Sequence, residues 1–450
     1  MDCSEKEMTM TKPISILIVP ALALLVVLIH LPDHALAGPG LINKAVRIGT
    51  RTGGEQVCLE HDAKTGNLFA VVRFTESYPS GNTYIWTVNI SKDRGRTWQE
   101  TFVYQSTFEN NDISTAVAGG YLWVGYTTGF DLPDKVFMRR FKIEDGLHDT
   151  TYGGPDGFQL IIDKSRPVND IEVITYQDST AVNVYRVFVA AILDISASHS
   201  ANLVLYNTID ISTATPAWTE WDTGVTNALD GLSGTWNNNY YKNALHNFCY
   251  LTYIAATGQG QPVMILKMGA SGLIPFQLEV NYDGLNYNTS VSAWNDTVIC
   301  AYEKSWNGTS FAVAYDISYD GGIIWSTHTW SPTGSEYYLN PSVTAKGGYG
   351  TAIAMNHSFQ YISPAHLSFS QRQGYAGGAW EEPFINPGNF MWPLFTSDLD
   401  WLPPLPGSEY AWGITYLALT SGWETSIPHF VRLDHRRPFT GSGINLLLTD

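Results

Sequence analysis

The segment "SKDRGRTW", Ser91 to Trp98, carries the strongest structural signal in the chain. Its spacing, S-x-D-x-G-x-T-W, has a mechanical reading. Asp93 accepts hydrogen bonds from nearby backbone N–H groups, as turn aspartates do. Gly95 supplies backbone angles that a β-carbon forbids. Thr97 opens the next strand, and Trp98 buries its ring in the seam beside it. The motif therefore reads as the connection between two strands of a hairpin, with Ser91, Asp93, Gly95, Thr97 and Trp98 as structural residues. A weaker copy, "SYDGGIIW", places Ser318, Asp320, Gly322 and Trp325 at the same spacing, with Ile324 where the first has Thr. Two copies so far apart predict a repeated structural unit.

Working outward, many short segments alternate apolar and polar residues or are rich in Val, Ile, Tyr and Trp. Examples are "YIWTVNIS", "KVFMRRFKI", "NLVLYNTID", "SFAVAYDIS" and "HFVRLDH". Gly, Asn, Asp and Pro clusters separate them, and no long helical period competes. In "NTSVSAWND", "TVICAYEKS" and "TSFAVAYDIS" two strand-like segments precede such a segment, and a turn follows it. A repeating four-stranded unit predicts an all-β fold, a β-propeller. Aligning the units on the residue that opens each first strand gives Gln56, Asp112, Asp170, Asn243, Asn288, Asn340 and Trp392. That is seven blades, or six if one irregular unit is an insertion. A ring must close, because an open one leaves a bare strand edge. "KAVRIGT", Lys44 to Thr50, is expected to complete the last blade beside "HFVRLDH".

The twin turns resemble the Asp-box, or BNR repeat, of the sialidase superfamily and its non-sialidase relatives. "SQRQGYAGGAW" at Ser370 to Trp380 is at best a decayed third copy. The resemblance implies a propeller over nearly the whole chain, with the boxes on the rim away from the active-site face. It also implies a test. Sialidases clamp a carboxylate with three arginines, which suits bidentate guanidinium geometry. Here "VRIG" has Arg47-Ile48 followed by Gly49 where that family has proline, and no arginine lies between Arg186 and Arg372. The family's arginine triad cannot be assembled in order.

The ends and the composition bound the rest. Lys6 and Lys12 precede the apolar run "ISILIVPALALLVVLIHL", and "ALA" follows at Ala35 to Ala37, which reads as a secretory signal over 1–37. The remaining 38–450 is expected to be one propeller domain, secreted to an extracellular or periplasmic space and without a membrane partner after cleavage. The 450 residues hold 25 basic and 42 acidic side chains, a formal charge of −17. Removing the leader's four acids and two bases leaves −15, which disfavours nucleic acid as a partner. Cys58, Cys249 and Cys300 lie in apolar runs and read as buried core residues, a Cys249–Cys300 bridge being the alternative. Five N-x-S/T sequons occur, at Asn89, Asn288, Asn295, Asn307 and Asn356.

The first-strand openers are the candidate ligand residues, since these strands line the axis. Asp112 and Asp170, on neighbouring blades, are the candidate carboxylate pair for glycoside chemistry, which needs two carboxyl groups about 5–9 Å apart. The competing reading is that this position hydrogen-bonds the adjoining loop. His246 is a candidate acid or base. Aromatic residues crowd the same face in "TWNNNYYKN" (235–243), "NYDGLNYN" (281–288), "SEYYLN" (335–340) and "NPGNFMW" (386–392), which adds Tyr240 and Tyr338 as ligand residues. Rings beside amides suit sugars, with apolar faces for stacking and polar groups for hydroxyls. No metal-site or phosphate-loop motif is present, so no cofactor is expected, Ca²⁺ in an Asp-lined channel being the one candidate. The expected activity is binding or scaffolding of glycans or extracellular protein surfaces, with a non-sialidase glycoside hydrolase or lyase as the alternative. Two or three carboxylates clustered in a deep axial pocket would favour the enzyme.

Overall fold

The computed structural model describes residues 41–42 and, apart from gaps in connecting segments, 45–436; residues 1–40, 238–247, 386–396 and 437–450 are among those left out. The expected leader therefore lies outside the described residues. Among those described there are twenty-nine strands, β1–β29 in chain order, and no helix. They form seven antiparallel blades, over 54–106, 113–163, 168–222, 228–281, 285–330, 337–385 and 398–436. The blades open with β3 (Gly54–His61), β7 (Ile113–Ala118), β11 (Val168–Gln177), β15 (Ala228–Trp236), β19 (Leu285–Trp294), β23 (Tyr337–Lys346) and β27 (Asp398–Leu402). Each of these strands touches the next, and β27 touches β3, so they ring a central axis. The chain is a seven-bladed β-propeller.

The alignment of first strands needs two corrections. Blade 4 opens with β15, upstream of Asn243, and blade 7 with β27, downstream of Trp392. The physical reason is that "ALDGLSGTW", rich in Gly and Ser, has a weak strand signal but sits where the axis is crowded. Asn243 and Trp392 themselves lie outside the described residues.

Neighbouring blades bury each other. In β4 (Leu68–Tyr78) the side chains of Leu68, Ala70, Val72 and Phe74 pack with Leu402, Leu417 and Phe430 of blade 7. The alternate residues Phe69 and Val71 pack with Leu122, Val124 and Phe141 of blade 2. Strand side chains alternate between faces, so a blade with two covered faces reads as a near-continuous apolar run. Seven such clusters occur, one at each joint between blades. Each fully buried Val, Leu or Phe there contributes roughly 1.5–3 kcal/mol.

The ring closes through the N-terminal strands. β1 (Leu41–Ile42) and β2 (Val46–Arg47) both pair with β29 (Ser426–Arg436), placing Val46 opposite Phe430 and Arg47 opposite His429. The Ile48 N–H donates to the Pro428 carbonyl and the Gly53 N–H to that of Ser426, both at 2.8 Å. The closure expected of "KAVRIGT" is present.

Both repeated turns join the third and fourth strands of their blades. The first lies between β5 (Gly81–Ser91) and β6 (Gln99–Ser106), the second between β21 (Phe311–Ser318) and β22 (Ser326–Trp330). In each, the serine hydroxyl donates to the aspartate and accepts from the glycine N–H: Ser91 to Asp93 at 2.8 Å and Gly95 to Ser91 at 2.7 Å, then Ser318 to Asp320 at 2.7 Å and Gly322 to Ser318 at 2.9 Å. Asp93 also receives the Thr97 N–H and hydroxyl, and Asp320 the N–H groups of Ile323 and Ile324. A β-carbon on Gly95 would stand 2.0 Å from Cε1 of Phe430, so that glycine is required by space as well as by its φ of +93°. Trp98 packs edge-on to Phe430, with ring centroids 5.4 Å apart.

Cys58, Cys249 and Cys300 are free thiols, and the Cys249–Cys300 bridge does not form. Asn89 and Asn356 are buried, so those two sequons are closed to modification in the folded chain.

Candidate functional site

The first strands leave one edge facing the axis. Its N–H groups have no strand beyond them to bond with, and a buried donor needs a partner. Side chains of the preceding blade supply it. The Ile113 N–H donates to Gln56 Oε1 (3.2 Å), Ile171 to Asp112 Oδ2 (2.9 Å) and Leu232 to Asp170 Oδ2 (2.6 Å). Val291 donates to Ser233 Oγ (3.1 Å), Val343 to Ser290 Oγ (3.0 Å) and Leu399 to Ser342 Oγ (3.0 Å). Leu59 donates to Asp398 Oδ2 (2.7 Å), which brings the circle back to blade 1. Every joint is thus clipped at the axis by a side-chain acceptor.

These clips account for several of the predicted residues. Gln56 donates through Nε2 to Asp112 Oδ1 at 2.8 Å, so both stand in the ring. Asn288 and Asn340 do too, linked at 3.0 Å, and both also bond the buried Glu303, Asn288 through its side chain and Asn340 through its N–H. Both asparagines have positive φ, 42° and 48°, at places where their strands slip register against the neighbour. Asparagine tolerates that backbone better than most residues, which is why the position recurs as Asn. Tyr338 is turned into the joint between blades 5 and 6, where it stacks on His357 at 4.7 Å. Tyr240, Asn243, His246 and Trp392 lie outside the described residues.

Three carboxyl groups meet at one mouth of the channel. The Asp170 carboxyl stands beside those of Asp112 and Asp230, close enough for their charges to raise it. Burial pushes the Asp170 carboxyl well above the usual range, and the charges of Asp112 and Asp230 push it further. Asp230 is raised by desolvation and by Asp112, although its residue reaches solvent. Like charges this close oppose one another's ionisation, and Asp170 is pushed toward its protonated form.

Behind the mouth lies a cavity of about 300 Å³, walled by Glu60, Glu172, Asp398, Asp400 and the hydroxyls of Ser and Thr residues. Burial pushes Glu172 up to about 8 and Asp398 up to about 6. Glu60 is raised well above its usual range by burial and by the Asp400 and Asp398 charges. His61 pairs with Asp400 and sits edge-on to Trp401 at the far end. There Lys346 lies against the Trp294 and Trp401 rings, and burial lowers its ammonium to about 7. Among the described residues no group of three or more His, Cys, Asp or Glu side chains is arranged to hold a metal ion.

Asp230, Glu60, His61, Glu172, Asp398 and Asp400 were not singled out from the sequence. For three of them the signal was a two-residue period: Glu172 lies two after Asp170, Asp400 two after Asp398 and Glu60 four after Gln56.

No protein-family model matches the chain, and no curated protein does. Solved structures of propellers resemble it. An α-L-arabinanase from Penicillium chrysogenum, complexed with arabinobiose, is 14% identical with a TM-score of 0.44, covering 86% of this chain and 98% of that one. An ulvan lyase of a polysaccharide lyase family is 8% identical at 0.44, over 73% and 80%. The β-propeller domain of the Trilobed protease from Pyrococcus furiosus is 10% identical at 0.44, over 85% and 94%. The likeness is one of architecture.

Proposed function

We propose that the chain is a secreted glycan-binding propeller that receives the hydroxyls of a neutral sugar at the mouth formed by Asp112, Asp170 and Asp230. One observation carries this: the Asp170 carboxyl, pushed toward its protonated form, stands between the Asp112 and Asp230 carboxyls, whose oxygens can accept. A sugar hydroxyl both donates and accepts, and an alternating donor–acceptor surface matches a run of them. The hydroxyl-lined cavity behind extends the same surface. The acidic axis and the formal charge of −17 disfavour acidic sugars. The twin turns support placing the chain among Asp-box propellers, and sialic-acid hydrolysis is no part of the proposal, since the arginine clamp is missing.

A second reading is glycoside hydrolysis or elimination, favoured by the raised Asp170 acid beside other carboxyls. It ranks second because glycoside chemistry needs a gap of roughly 5–9 Å between two carboxyl groups, whereas these three crowd one another.

The test is calorimetric titration with neutral, sialylated and uronate oligosaccharides. Neutral glycans should bind, and Asp230→Ala should weaken them about tenfold. Asp170→Asn should retain binding, because its amide donates where the proton did. A preference for acidic glycans, or full affinity in Asp230→Ala, overturns the proposal. New reducing ends released by the wild type and not by Asp170→Asn would promote the second reading.

A further inference from the structure

A second cavity, about 270 Å³, opens on the rim at the joint between blades 1 and 7. The first repeated turn contributes Arg94 and Arg96 to it, β2 contributes Val46, β29 contributes Phe430 and Arg432, and Leu405 completes the wall. Three arginines line it in a chain where acids outnumber bases 42 to 25. Arg432 is spent: Nε contacts both Asp434 oxygens, at 3.0 and 2.9 Å, and Nη2 donates to the Pro403 carbonyl at 2.6 Å. Arg94 and Arg96 are exposed, and neither enters an ion pair among the described residues. Asp93, their neighbour in the turn, spends its carboxylate on Ser91 and Thr97.

The backbone gives an independent sign. Arg94 adopts φ +64°, a left-handed conformation that an L side chain resists. The second turn makes the same bend with Gly321, φ +74°, at no such cost. It also carries Ile323 where the first carries Arg96. The first turn therefore keeps a strained arginine, without a structural partner, where glycine would serve the fold. Strain of this kind persists where the side chain is used.

We propose that this rim pocket binds an organic oxyanion: a carboxylate or sulfate held between Arg94 and Arg96, on a single apolar ring packed against Val46, Leu405 and the Phe430 floor. The volume lies just under the roughly 300–1,000 Å³ of drug-sized ligand sites, which leaves room for one ring and its acidic group. A polar sugar acid fits less well, since its hydroxyls would meet apolar wall without partners. The site is remote in the fold from the axial mouth and stands or falls separately from the glycan proposal.

Benzoate, glucuronate and inorganic sulfate are the probes, titrated into the full chain at low salt. Benzoate should bind saturably and at least about tenfold tighter than either of the others, with affinity falling as salt rises. Arg96→Gln should weaken it about tenfold. Arg94→Gly copies the second turn, so it should raise the melting temperature while weakening benzoate by a similar factor. Sulfate or glucuronate binding as tightly as benzoate would overturn the proposal. So would undiminished binding in Arg94→Gly, which copies the second turn, or in Arg96→Gln, a change at an exposed side chain.

Discussion

Asp93 and Glu172 are both acids held by hydrogen bonds, and they respond to pH in opposite directions. Desolvation works to raise the Asp93 carboxyl, but bonds from Thr97 and Ser91 outweigh it and hold it below the ordinary range. Its contribution is present above that range and lost on acidification. Asp93→Ala should destabilise the protein by about 1–3 kcal/mol, the worth of charge-assisted turn bonds. Urea unfolding measures this, and glycan binding by the folded variant should be unchanged. Selective loss of binding at full stability would make the turn functional. Glu172 is the reverse case. Burial raises it to about 8, so the folded chain holds that proton more tightly than the unfolded chain does. Its favourable contribution is complete below about 4.5 and is lost as pH rises through about 8. Glu172→Gln keeps an acceptor for the Gly234 N–H, which now bonds Oε1 at 2.8 Å. It should therefore flatten the decline in stability between pH 5 and 8, read from melting temperatures across that window. An identical slope in variant and wild type would remove Glu172 as its source.

At the scale of elements, the closing strands have the clearest consequence. β1 and β2 cover the edge of β29, and Ile48 lies in the joint cluster with Leu402 and Phe430. A chain lacking residues 38–50 would expose both an unpaired edge and an apolar seam. It should melt at a lower temperature and show aggregates in size-exclusion chromatography. Wild-type melting by the truncated chain would mean that the strand adds nothing. The pairing was legible because "KAVRIGT" and "HFVRLDH" each have a strand's alternation, and because a ring needs a closing partner. The inner strand of blade 4 was not legible. "ALDGLSGTW" has a glycine at φ +71°, Gly231, and slips register twice against its neighbour. A strand stabilised by clips from adjacent blades does not need the apolar content by which strands are recognised.

For the molecule as a whole, the joints between blades are the unit of stability. Each carries one apolar cluster and at least one axial clip, and every cluster draws its residues from two neighbouring blades. The same arrangement separates two chemistries. The axis gathers acids, because each clip needs an acceptor and a carboxylate is a strong one. The rim places Arg94 and Arg96, which enter no ion pair among the described residues, at the joint that the N-terminal strands complete. The two proposed sites, an acidic centre and a basic rim, would both follow from where the joints place these side chains.

The sequence by itself determined the blade and the turn. Strand alternation, the S-x-D-x-G spacing and the need to close a ring act over a few residues or through simple counting, so they survive without coordinates. It also placed Asp112 and Asp170 among the axial residues. Only the tertiary structure decided that Asp230 joins them, that Asp170 is pushed toward its protonated form, and that Arg94 and Arg96 share a pocket with Phe430. Those facts depend on which side chains converge from segments tens to hundreds of residues apart, and on the burial that follows. Proximity and desolvation set charge states, and neither is written in local sequence.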